Sequence, residues 1–144
     1  MAEHDTVKLL RECDAGIKMG VKSIDDVEKY VKSESMKRML SKCKTEHEKL
    51  EGEIEAMLTN YGDSGKEPSP IVSGMSWIKT NVKLGMNHSD KTVADLMTDG
   101  CNMGIKSLSG YLNEYTEASA PSRDIAKRLI KIESDLCENM RGYL

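Results

Sequence analysis

Apolar residues recurring every seven positions constrain this chain before anything else does. Leu10, Ile17, Ile24 and Val31 fall seven apart, with Cys13, Gly20 and Val27 between them. Positions three, four and seven apart share one face of a helix, so all seven lie on a single stripe. The spacing returns at Met36, Cys43, Leu50 and Met57, with Leu40, His47 and Ile54 interleaved. A further set, Ile125, Leu129, Ile132, Leu136, Met140 and Tyr143, closes the chain. The β-branched and aromatic runs that mark strands are missing, and there is no phenylalanine. Helices with one apolar stripe must bury it against one another, so the pattern predicts an all-α bundle.

Caps and breakers divide the chain. The first helix is expected over residues 5–31, with Asp5 or Thr6 as N-cap. Residues 32–35 read as a short turn and 36–59 as the second helix. The run 60–70 holds Asn60, Gly62, Gly65, Pro68 and Pro70 and reads as a loop. A shorter helix is expected at about 71–84, with Ile71, Met75, Ile78 and Val82 on one face. Ser89 and Asp90 cap a third long helix running to about Tyr115, and a fourth begins near Ser122 after the turn 116–121. The expected order is a hairpin at 5–59, a long crossover at 60–88 and a hairpin at 89–144. The 144 residues suffice for one core, so a single domain over 1–144 is expected.

Charge excludes several functions. The formal net charge is −3, and the lysines are interleaved with acids rather than gathered, so no nucleic-acid footprint is present. The start, Met1-Ala2-Glu3-His4-Asp5, has neither the basic nor the apolar region of a secretion signal. No apolar stretch approaches the roughly 20 residues of a membrane span. Cys13, Cys43, Cys101 and Cys137 lie far apart, without paired spacing, and read as free thiols of a cytoplasmic protein. No Gly-x-x-x-x-Gly-Lys loop for phosphate occurs.

The chain also repeats itself. Met19-Gly20-Val21-Lys22-Ser23-Ile24 recurs 84 residues later as Met103-Gly104-Ile105-Lys106-Ser107-Leu108, and Gly16 matches Gly100 at the same offset. A weaker match at offset 90 pairs Lys37-Arg38 with Lys127-Arg128, and Glu48 with Glu138. Glycine inside a helix costs about 1 kcal/mol against alanine and needs a reason. The simplest is close approach of the first and third helices at Gly16, Gly20, Gly100 and Gly104.

Two repeated hairpins joined by a long crossover resemble the ferritin-like superfamily, in its rubrerythrin-like form. Gly16 and Gly100 look like the mid-helix glycines of that plan, and Thr45-Glu46-His47-Glu48 like the end of its Glu-x-x-His helix. Over nearly the whole chain the sequence is most similar to an uncharacterised bacterial family of ferritin-like bundles, a domain of unknown function. That similarity rests on Asp14-Ala15-Gly16, on Met75-Ser76-Trp77-Ile78-Lys79 and on the polar cap before the third helix. The resemblance implies di-iron positions, and most of these lack their carboxylates. Ile17 and Cys101 follow the two glycines where glutamates are expected. Lys44 precedes His47 by three, and the offset of 90 puts Ser134 and Cys137 on the fourth helix. One layer would then hold Ile17, His47, Cys101 and Cys137.

Three chemistries stay open on these residues. Cys43 and His47, one helical turn apart, could join Cys101 and Cys137 around zinc or another thiophilic metal. Asp14, Glu46, Asp99 and Glu133 are the carboxylates that could replace the lost di-iron ligands after a small rotation of the helices. The cysteines are otherwise small buried hydrophobes. A Cys–His dyad lacks a visible orienting group and an oxyanion site. The resulting expectation is a non-catalytic bundle with a degenerate di-iron site and no cofactor, acting as a binding or assembly module and pairing as a homodimer. A metal-binding bundle is the alternative, and an iron-dependent oxidase or peroxide-handling protein the third.

Overall fold

The computed structural model describes residues 2–63, 65–66 and 89–144, and among them the chain is helical, without a strand. Four long helices carry it: α1 (Ala2–Glu28), α2 (Glu34–Thr59), α3 (Asp90–Glu114) and α4 (Ala120–Met140). A 3-10 turn, Arg141–Tyr143, follows. The expected crossover helix at 71–84, with Trp77, lies outside the described residues, as does His88. No described helix is long and apolar enough to cross a membrane.

Serines start three of the helices. Ser33 Oγ accepts from Met36 N at 3.2 Å, Ser89 Oγ from Thr92 N at 3.2 Å, and Ser119 Oγ from Ser122 N at 3.3 Å. Each satisfies an N–H that has no partner within its helix. α4 begins before Ser122 because Pro121 sits in its first turn, where the missing N–H costs nothing. Asp5 and Thr6 are not caps, since α1 already starts at Ala2. Thr6 Oγ1 donates back to Ala2 O at 2.7 Å, the in-helix bond that threonine can make. Both side chains instead hold the α3–α4 turn: Asp5 Oδ2 accepts from Glu117 N and Thr6 Oγ1 from Ser119 N. At the far end of α2, Gly62 (φ 70°) takes a left-handed conformation, and Asp63 N reaches back to Leu58 O at 3.0 Å.

The stripes meet in two apolar layers. At one end Ile24 and Val27 of α1 pack with Met36 and Leu40 of α2, Val93 and Met97 of α3, and Leu136 and Met140 of α4. At the other end Leu9 and Leu10 pack with Leu50 and Ile54, Leu108, and Ile125 and Leu129. The layers fix direction: α2 runs against α1, and α4 against α3. Polar contacts seal the first end. Asp90 accepts from Lys32 N at 2.7 Å and Ser33 N at 3.0 Å, and Ser33 Oγ meets the Tyr143 hydroxyl at 3.1 Å.

Candidate functional site

The middle of the bundle, between the apolar layers, buries a histidine and a glutamate. His47 of α2 is 2% exposed and Glu133 of α4 is 9% exposed. They face each other, with Nε2 4.0 Å from Oε1. That is beyond hydrogen-bond range, so neither group satisfies the other.

The tautomer of His47 follows from its neighbours. Nδ1 lies 2.8 Å from the Cys43 carbonyl oxygen, one turn back on the same helix. A carbonyl only accepts, so Nδ1 carries the proton and donates. Burial holds the imidazole pKa below its usual value, so the ring is neutral near pH 7. Nε2 therefore presents a lone pair towards Glu133. Burial acts oppositely on Glu133 and pushes its pKa up to about 8. Its Oε2 is buried without a hydrogen-bond partner among the described residues. A buried polar atom left unpaired costs about 1–3 kcal/mol; Asp14 Oδ1 and Asp26 Oδ2 share that state, and Glu133 is the one of the three that lines a cavity.

The repeated glycines make room for this pair. A Cβ on Gly20 would stand 2.9 Å from His47 Nε2. A Cβ on Gly104 would stand 2.9 Å from Glu133 Cδ and Oε1. Thus the glycine of each repeat accommodates the polar side chain of the next helix, His47 in one half and Glu133 in the other. Gly16 and Gly100 differ, since nothing lies within 4 Å of a Cβ built on either. The expected helix-to-helix approach at the glycines is therefore replaced by two functions: seating two side chains and leaving space open. The space is a cavity of about 220 Å³ lined by all four glycines, His47 and Glu133. Met19 and Met103, from the two copies of the repeat, stand on its walls with Ser23 and Ser107. At one margin Lys66 pairs with Glu12, beside Tyr111.

The other candidates take different places. Cys43 and Cys101 are buried and line the cavity. Cys43 Sγ is 3.5 Å from His47 Nδ1, the nitrogen already committed to the carbonyl. Burial pushes the Cys43 thiol up to about 12 and raises that of Cys101 further, so both are protonated. Cys137 does not face His47. It is half-buried, and its thiol donates to Asn102 Oδ1 at 3.6 Å. Glu133, one turn earlier on α4, occupies the position across from His47. Ile17 packs into the apolar layer of Leu10 and Leu50. Asp14 is buried on α1, paired with Lys18 at 2.9 Å and accepting from Lys66 N at 2.9 Å. Glu46 is half-buried, 4.0 Å from Lys42, and Asp99 is exposed.

Of the four carboxylate candidates, Glu133 alone reaches the cavity. Among the described residues no three His, Cys, Asp or Glu side chains converge as ligands of one ion. A di-iron pair needs several carboxylates to balance two hard cations, and one glutamate with one imidazole does not supply them. The donor set of the cavity does not fit that centre. No protein-family model, curated protein or solved structure matches this chain.

Proposed function

We propose that this protein is a non-catalytic binding module built on a ferritin-like plan, in which the di-iron position has become a cavity for a small ligand. The plan is supported by direction: α2 finishes in the layer of Leu9 and Leu10, whereas α3 starts in the layer of Ile24 and Val27. Two hairpins joined by a crossover have that arrangement. The observation carrying the binding role is the glycine-walled cavity with one carboxyl oxygen at its floor that is buried and has no partner among the described residues. A cavity of about 150 Å³ in a protein core is large enough for benzene, and this one is larger. A few polar groups on a mostly apolar wall are the usual composition of a small-molecule site.

A second reading rests on one observation: Cys43, His47, Cys101 and Glu133 line the same cavity. Two thiols, an imidazole and a carboxyl would suit zinc or another thiophilic metal if they closed around it and the thiols lost their protons. One experiment separates the readings. Protein purified anaerobically is assayed for metals by mass spectrometry beside His47→Ala, and both are titrated with benzene by thermal shift. A metal-free protein stabilised by benzene supports the ligand cavity. One equivalent of zinc, lost in His47→Ala, would replace it with the metal reading. About two equivalents of iron would restore the di-iron centre.

A further inference from the structure

The two polar groups at the cavity floor share a chemical character. His47 offers the Nε2 lone pair, because its only N–H is spent on the Cys43 carbonyl. Glu133 offers a carboxyl with Oε2 unpaired among the described residues. Among the described residues no hydrogen-bond donor reaches Nε2 or Oε2. The remaining charged groups on the lining, Glu12 and Lys66, are paired with each other. Among the described residues the cavity therefore has one acid without a cation beside it, one further acceptor, and walls that are mostly methionine, leucine and glycine, with Ser23 and Ser107 among them.

We infer that the cavity binds a small organic cation: a primary ammonium carried on an apolar body about the size of one aromatic ring. This rests on the binding reading above and adds the ligand's charge and donor count. Two hydrogen bonds of about 2.9 Å from one nitrogen reach acceptors roughly 4–5 Å apart, and Nε2 and Oε1 are 4.0 Å apart. Once Glu133 is ionised, an ammonium supplies both donors and the countercharge, whereas an alcohol supplies one donor and no charge. A carboxylate ligand would meet the ionised Glu133 as a like charge. The apolar body would lie between Met19 and Met103, whose flexible thioethers adapt to a ligand's shape.

The test is calorimetric titration with benzylammonium, benzyl alcohol and benzoate, at mildly alkaline pH where Glu133 is ionised and the benzylic ammonium still keeps its charge. The native chain and Glu133→Gln are compared, and amide NMR shifts locate the binding. Benzylammonium should bind once per chain, on the order of tenfold more tightly than benzyl alcohol, with shifts at Gly20, Gly104 and His47. Glu133→Gln should remove that preference and leave the alcohol's affinity within about threefold. Should the variant fail to fold, the order of the three ligands on the native chain decides alone. Equal or tighter binding of the alcohol or benzoate overturns the cation assignment and leaves the binding cavity standing. Shifts confined to residues away from the cavity also overturn it. If none of the three binds, the cavity reading itself falls.

Discussion

Gly20 has no side chain because His47 occupies the place where one would go: a Cβ there would stand 2.9 Å from Nε2. One turn earlier, Gly16 has nothing within 4 Å. The two glycines share a helix and a face, so they form an internal comparison. Gly16→Ala should stabilise the protein by about 0.5–1 kcal/mol, from helix propensity alone. Gly20→Ala gains the same propensity but must displace an imidazole, at about 1–3 kcal/mol, and should be net destabilising. Urea unfolding of the two variants checks the difference. Equal stabilisation by both would mean that His47 is not seated against Gly20.

The floor of the cavity should give stability two opposing dependences on pH. Glu133 is raised from 4.5 to about 8, so between those values the folded state holds a proton that the unfolded state has lost. Its contribution is fully present below about 4.5 and is lost as pH rises towards 8. His47 is depressed from 6.5, so its contribution is present above that value and is lost as pH falls below it. The titratable groups around Glu133 are Cys13 of α1, Cys43 and His47 of α2, and Cys101 of α3. The thiols of these cysteines stay protonated throughout the range. Unfolding free energy measured from pH 4 to 9 should therefore peak in the mildly acidic range. Glu133→Gln should flatten the alkaline limb and leave the acid limb.

Thiol chemistry should resolve the four cysteines. Cys13, Cys43 and Cys101 are each 5% exposed or less, and burial raises their pKa values. The reactive species is the thiolate, and it must also be reached. Cys137 is half-buried at the surface. Iodoacetamide should label Cys137 first in the native protein and the other three only on unfolding, with peptide mapping as the readout. Fast native labelling of Cys43 would show that its end of the bundle opens.

Asp90 joins the start of α3 to the turn before α2 through two backbone N–H bonds, at 2.7 and 3.0 Å. Asp90→Ala leaves Lys32 N and Ser33 N without that partner and removes a favourable charge from the first turn of α3. The expected loss is about 1–2 kcal/mol in denaturant unfolding. Asp90→Asn keeps one acceptor and should recover part of it.

The heptad spacing was enough to find α1, α2 and α4, because burial of a stripe leaves a periodic trace, whereas α3 was legible from its Ser89 cap and from the repeat. Helix ends were harder. Ser89 was legible as a cap, whereas Asp5 and Thr6 resembled one and are used elsewhere, for a turn more than a hundred residues away. The site was half legible. Internal glycines and His47 stood out as anomalies of their helices. Glu133 was one of four carboxylate candidates, and nothing in the sequence set it apart from Asp14, Glu46 and Asp99. Only the packing of α4 against α2 turns it inward. The sequence match at offset 90 pointed to Cys137 instead, and that offset is four residues out of step with the pairing of His47 and Glu133.

The two apolar layers have a consequence for how the chain comes apart. Each layer takes residues from all four helices, so neither α1–α2 nor α3–α4 holds a complete hydrophobic core. A half-molecule would expose half of each layer, and the two halves would complement one another only as a pair. The ends of the bundle are consequently one thermodynamic unit. Amide exchange in the α1 segment around Leu10 and in the α2 segment around Leu40 should report the same opening free energy, that of global unfolding.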